Sequence, residues 1–167
     1  MIHNTAMKRN IGAILRIAAA FDVDEIIFVG KKKSMQTFGA HGTQRRMKIQ
    51  FFQHMRDAIE VIRDEMKCLL VGIEIMPGAK SIRENPLPFY GNTCFLLGSE
   101  GQGLSDQDKS LCDYFVYIPH AGSGTGSLNV SVACAIVLYQ FKMIWCNTEE
   151  AARVEEKYVV KSLLPSN

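Results

Sequence analysis

An α/β fold, a parallel sheet flanked by helices on both faces, is what the 167-residue sequence predicts. Two patterns carry that expectation. Short apolar runs suited to strands alternate with segments whose apolar residues recur at helical spacing, an order that builds parallel sheets rather than hairpins. Several of the runs are apolar throughout, as strands covered on both faces are. The composition agrees, with 47% apolar and 22% charged residues, and the length suits one domain with a core of its own.

Asn10 to Phe21 reads as the first helix, with Ile11, Ile14, Leu15 and Ala18 at helical spacing. Glu25 to Val29 reads as a buried strand ended by Gly30, and Lys48 to Phe52 as a second short strand. Met55, Ile59, Ile62 and Met66 then form the apolar stripe of a helix over His54 to Lys67. Cys68 to Ile73 and Thr93 to Leu97 are continuous apolar runs. Ser105 caps a short helix reaching Cys112, and Phe115 to Ile118 is the last strand. Leu128 to Trp145 closes the core as a helix, and a weaker charged helix follows over Thr148 to Val159. The domain is therefore residues 1–147, with a charged tail over 148–167.

Composition narrows the function classes. The five cysteines, Cys68, Cys94, Cys112, Cys134 and Cys146, are scattered and form no C-x-x-C pair, so reduced thiols in the cytosol are expected. Leu128 to Trp145 reaches membrane-spanning length, but Asn129, Ser131, Gln140 and Lys142 argue for a buried helix of a soluble domain and against a membrane span. The first residues carry no signal-peptide pattern. The net charge is only +2, yet residues 1–48 hold nine Lys/Arg against three acids. A basic front half suits a polyanion such as RNA, with Lys8, Arg9, Arg45 and Arg46 as candidate phosphate contacts. The run Lys31 to Lys33 fits a solvated loop equally well.

Ligands of such sheets sit beyond the carboxyl ends of the strands. Two loops at those places are glycine-rich, Gly98-Ser-Glu-Gly-Gln-Gly103 and Gly122-Ser-Gly-Thr-Gly126. Neither is a phosphate-binding P-loop, since no Lys-Ser/Thr follows the glycines, and neither opens a helix after the first strand as a dinucleotide fingerprint does. His3, His41, His54 and His120 fall in unrelated segments, and no metal-ligand spacing links them to cysteines or carboxylates, so no metal is expected. The nucleophile elbow G-x-S-x-G is absent.

Three segments in order carry a more specific likeness. They are Asn10-Ile-Gly-Ala-Ile-Leu-Arg16 with Ala18-Ala-Ala-Phe21, then Phe95-Leu-Leu-Gly-Ser-Glu-Gly-Gln-Gly-Leu-Ser105, then Ile118-Pro119 leading to Ser127-Leu-Asn-Val-Ser131. Together they resemble the three signature motifs of the SpoU/TrmH family of RNA ribose 2′-O-methyltransferases, within the SPOUT superfamily. The resemblance implies transfer of a methyl group from S-adenosylmethionine to tRNA or rRNA, a homodimer, and a C-terminal deep trefoil knot that holds the cofactor. Sequence patterning alone argues against knots, so the knot rests on the likeness.

At matching positions the resemblance implies cofactor contacts from Leu97, Gly98, Ile118, Pro119 and Leu128, and catalytic roles for Asn10, Arg16, Glu100, Ser127 and Asn129. Residue chemistry is compatible: glycines admit close main-chain approach, and aliphatic side chains cover an adenine. Each position also has a plainer reading. Ile118 and Leu128 serve as core packing, Arg16 pairs with Glu100 inside one molecule, and Asn10 and Ser127 act as helix N-caps. Asn129 lacks such an excuse near the start of an apolar helix. Arg16, alone in charge within its helix, needs a partner or a purpose. A guanidinium keeps its proton, so its expected part is to hold a nucleotide phosphate and to stabilise charge on the attacking oxygen.

The last apolar helix is more than one small domain covers, which agrees with the implied dimer. Three features depart from the family pattern. The stretch between Ile118-Pro119 and Ser127 is one residue longer than the family's commonest spacing, His120 stands where methionine is frequent, and only Ile2 to Thr5 remain of an initial strand. Two rival functions are base methylation, for which an acid in residues 119–131 is missing, and a non-catalytic RNA-binding subunit, which would have lost Arg16 or Asn129.

Overall fold

A computed structural model of the chain describes residues 1–3, 8–30, 47–84, 88–99 and 101–145. Seven parallel strands form one sheet: β1 (Ile2–His3), β2 (Glu25–Val29), β3 (Lys48–Phe52), β4 (Leu69–Ile73), β5 (Lys80–Ser81), β6 (Thr93–Leu97) and β7 (Tyr114–Tyr117). Their order across the sheet is β3-β2-β1-β6-β4-β7-β5. The helices are α1 (Lys8–Ala20), α2 (Met55–Glu60), α3 (Asp106–Leu111) and α4 (Val130–Trp145), and a π-helical turn over Val61–Glu65 continues α2. The expected charged helix over Thr148 to Val159 lies outside the described residues.

Alternation along the strands builds two layers. In β2, Ile26 and Phe28 face α1 and α4, where Ile11, Ile14, Leu15, Ala18, Cys134 and Leu138 bury against them. Ile27 and Val29 face the other way, onto Ala58, Ile59 and Ile62 of α2 and its π turn. The same switch divides Leu97 from Leu96 in β6. Strands covered on both faces need apolar residues at every position, which is why they read as unbroken runs.

The sequence places most elements within a residue or two and misses two features, an edge strand and a change of helical winding. The first strand is Ile2–His3, and Ile2 pairs with both Phe28 and Leu97 at a central place in the sheet. Lys80–Ser81, too short to show a pattern, adds an edge strand beside β7. The helix expected over His54 to Lys67 changes to π winding at Val61, where the Met66 N–H reaches back to the Val61 carbonyl. Apolar spacing cannot report that change, because Ile62 stays buried in either winding.

Two cap assignments are corrected. Asn10 is the third residue of α1, buried, and so not its N-cap. Ser127 does not cap α4; Asn129 does, its Oδ1 accepting the Ser131 N–H at 2.9 Å and the Ser131 hydroxyl at 2.6 Å. Asn129 therefore has the structural role that the sequence appeared to deny it. Ser105 caps α3 as expected, accepting the Asp108 N–H at 3.1 Å while its hydroxyl donates to Asp108 Oδ2 at 2.8 Å. Asp108 is buried, and its other oxygen meets His3 Nδ1 at 3.0 Å, tying β1 to α3.

Candidate functional site

A cleft of about 380 Å³ opens beyond the carboxyl ends of β4, β6 and β7. Its walls come from the segment after β6 (Leu97 to Gly103), the segment after β7 (Ile118 to Leu128) and the start of α4. That volume lies in the range of small-molecule sites. The position follows the rule for parallel sheets: main-chain groups at strand ends, no longer engaged in the ladder, face a crevice.

The segment after β6 is a tight ring. The Ser99 N–H donates to the Gly103 carbonyl at 2.9 Å, and the Gly103 N–H returns to the Ser99 carbonyl at 3.1 Å. Gly98 lies against this ring so closely that a Cβ there would stand 2.6 Å from the Gly103 carbonyl carbon. Gly103 has a φ of +67° and abuts the Glu74 carboxylate, whose Oε2 accepts the Leu104 N–H at 2.8 Å. Gly98 is thus required by packing against main chain, and Gly103 by its left-handed backbone.

The segment after β7 is looser. His120 Nδ1 lies 2.7 Å from the Ile118 carbonyl, which fixes the Nδ1–H tautomer by its need for a donor. The Thr125 hydroxyl donates to the Ser127 carbonyl at 2.9 Å and accepts the Ser127 N–H at 3.3 Å.

Of the candidate cofactor residues, Leu97, Gly98, Ile118 and Leu128 line the cleft, while Pro119 does not. Ser127 lines it as well. Asn129 stands at the adjoining helix end, and its Nδ2 donates to Asn10 Oδ1 at 3.3 Å, so the buried Asn10 and the cap of α4 meet between the two helices. Arg16 is exposed on α1, about 9 Å along the helix from Asn10 and about 240° around it, and does not line the cleft. Glu100, Arg45 and Arg46 lie outside the described residues, so the expected Arg16–Glu100 pair does too; Lys8 and Arg9 begin α1, with their side chains outside what is described.

Sequence reasoning missed Glu74, His120 and Tyr117 as cleft residues. Glu74 had a legible signal, an acid placed directly after the apolar run Leu69 to Ile73, at a strand's carboxyl end. Among the described residues no cluster of three His, Cys, Asp or Glu is placed to hold a metal, and no helix is long and apolar enough to cross a membrane.

The fold is an all-parallel α/β sheet with a cleft between two glycine-bearing loops at its strand ends. The chain belongs to the SpoU rRNA Methylase family, whose profile matches residues 1–139. It is 29% identical over 133 residues to the tRNA (guanosine(18)-2′-O)-methyltransferase of Escherichia coli K12, covering 78% of this chain and 56% of that protein. To the 23S rRNA (guanosine-2′-O-)-methyltransferase RlmB of Haemophilus ducreyi it is 30% identical over 135 residues, covering 78% and 53%. Among solved structures, the SpoU methyltransferase AviRb from Streptomyces viridochromogenes, in complex with the cofactor AdoMet, superposes with a TM-score of 0.67 at 26% identity, over 83% of this chain and 56% of that one. The chain spans about half the length of the curated relatives it matches.

Proposed function

We propose that this chain transfers a methyl group from S-adenosylmethionine to a ribose 2′-hydroxyl of tRNA or rRNA, acting as a homodimer. The observation that carries the reading is the cleft itself, in which Leu97, Gly98, Ile118, Ser127 and Leu128 converge from two loops and a helix end. The E. coli and H. ducreyi relatives are named for ribose methylation of tRNA and rRNA, and AviRb was solved with AdoMet.

The residues present fit that cofactor. Gly98, where a Cβ would collide with the neighbouring main chain, leaves backbone groups open to a ligand, and Ile73, Ile118 and Leu128 offer aliphatic cover for an adenine. When bound, S-adenosylmethionine supplies a methyl carbon activated by its positively charged sulfur. The chain's own work is alignment of the hydroxyl with that carbon. Ser127 from the cleft wall and Asn129 from the adjoining helix end orient the hydroxyl. Arg16 holds a nucleotide phosphate and stabilises the oxygen as it loses its proton.

The dimer explains why Arg16 lies off the cleft of its own chain. Val132, Ile136, Tyr139 and Met143 fall on one stripe of α4, and three of them are exposed, at 46%, 55% and 65% for Val132, Tyr139 and Met143. Arg16, Ala19 and Ala20 are exposed on α1, which packs beside α4. In this reading a second copy covers the stripe, and Arg16 of the partner subunit reaches the cleft. The knot belongs to the same proposal. The chain leaves β4, passes the place of β7 to form β5, and returns past both to β6; β7 then lies between β4 and β5, as a threaded segment must.

Calorimetric titration with S-adenosylmethionine tests cofactor uptake, and mapping of 2′-O-methyl positions in RNA from cells lacking the protein tests the reaction. Unchanged methylation at every position would count against it. Arg16→Ala should leave the fold, the dimer and cofactor uptake intact while turnover falls by about 100-fold or more; an active variant removes Arg16 from the mechanism.

A further inference from the structure

Glu74 follows the last residue of β4 and continues its ladder, the Glu74 N–H donating to the Val116 carbonyl at 3.0 Å. Because β4 lies between β6 and β7, Glu74 stands between the two cleft-forming loops, and it is the only carboxylate among the described residues that line the cleft. No lysine or arginine lines it with Glu74 among those residues. Oε2 is committed to the Leu104 N–H at 2.8 Å, which fixes the plane of the carboxylate, and Gly103 is held close against it by a backbone only glycine adopts readily. Oε1 has no donor among the described residues.

A carboxylate fixed in this way, beyond a strand end of a parallel sheet, is suited to accept hydrogen bonds from the vicinal hydroxyls of a ribose. Resting on the proposed function, we infer that Glu74 recognises the ribose diol of the bound nucleoside cofactor, through Oε1. It is a specificity-determining residue, with no part in the methyl transfer itself. The tight ring from Gly98 to Gly103 is then shaped around the carboxylate that reads the sugar.

The test is calorimetric titration of the chain with S-adenosylmethionine, S-adenosylhomocysteine and the 2′,3′-dideoxy form of S-adenosylhomocysteine. Glu74→Gln retains an oxygen for the Leu104 N–H, so the ring and the melting temperature are kept. The variant is expected to bind both diol-bearing ligands about tenfold or more weakly, the scale of a hydrogen bond to a charged group, and the dideoxy compound as the wild type does. Unchanged affinities, an equal loss for the dideoxy compound, or a loss confined to the sulfonium-bearing ligand would each overturn the inference, the last by pointing to charge attraction. Should Glu74→Gln fail to fold, the wild type decides alone: it must bind the dideoxy compound about tenfold more weakly than its parent, and equal binding ends the inference. A wild type that takes up none of the three ligands defeats the proposed function first and the inference with it.

Discussion

The two glycine-bearing loops of the cleft have similar composition and opposite construction. Between Gly98 and Gly103 the chain closes a ring with paired main-chain bonds, a carboxylate brace and two constrained glycines, Gly98 against main chain and Gly103 in a left-handed conformation against the Glu74 carboxylate. Between Gly122 and Gly126 the glycines are exposed, and a Cβ on Gly122, Gly124 or Gly126 would meet nothing within 4 Å. Glycine in the first loop answers a steric demand, whereas in the second it supplies chain freedom. A shared glycine-rich pattern therefore marks two different physical devices on one cleft, a fixed wall and an adaptable one.

The strongest way to break that contrast is Gly98→Ala. The added methyl has to displace the main chain at Gly103, so the ring opens, with a cost of about 1–3 kcal/mol from overpacking. Cofactor uptake should fall with stability, read by thermal melting and calorimetry. A Gly98→Ala protein of wild-type stability and affinity would show that the ring is not a fixed wall.

Next in size is Asn129→Ala at the far end of the looser loop. Loss of its cap on the Ser131 N–H should cost about 1 kcal/mol. Asn129→Ser restores a capping oxygen but not the amide that donates to Asn10. Stability should then return while turnover stays low, which separates the anchor of the loop from its proposed part in the site. If Asn129→Ser recovers turnover too, the cap is the whole of its contribution.

How much of this was readable from sequence follows from the range of the forces concerned. Core elements were legible because burial repeats along the chain: Ile11, Ile14, Leu15 and Ala18 mark α1 whatever lies opposite. The cleft's place was legible too, since glycines after Leu97 and Ile118 fall at strand ends. Long-range contacts were not. Nothing in the local pattern of Asn10 or Asn129 says that the two meet 119 positions apart. The cap made by Asn129 is local, on the Ser131 N–H, and is hidden because the apolar pattern starts the helix at Leu128, two residues before its true start at Val130. Glu74 shows in the sequence only as an acid after an apolar run; that it braces the Leu104 N–H, 30 residues on, does not show there.

Alkaline pH sharpens the contrast by a smaller margin. Burial first, then the charges of Asp108 and Asp113, pushes the Cys112 thiol from 9.0 up to about 12, at the end of the helix that follows the tight ring. Below pH 9 the thiol is protonated whether the chain is folded or not, and its contribution is whole. Between about 9 and 12 the unfolded chain ionises while the folded one does not, so stability falls as pH rises. Urea melts at pH 8 and pH 10 should differ in that direction, and Cys112→Ala should remove part of the difference.

The smallest effects belong to the open loop. Gly122→Ala and Gly124→Ala add a methyl where the structure offers room, at backbone angles outside the left-handed region. Neither change should lower stability by more than about 0.5 kcal/mol, and a slight gain is expected because the unfolded chain loses freedom. If the loop's freedom serves to close over bound ligands, the double variant keeps its melting temperature but releases S-adenosylhomocysteine at an altered rate, measurable by stopped-flow displacement. A double variant with wild-type stability and unaltered release would leave the glycines as tolerated filler. A marked loss of stability would instead mean that residues 122–126 adopt a packed conformation, and the division between a fixed and an adaptable wall would be lost.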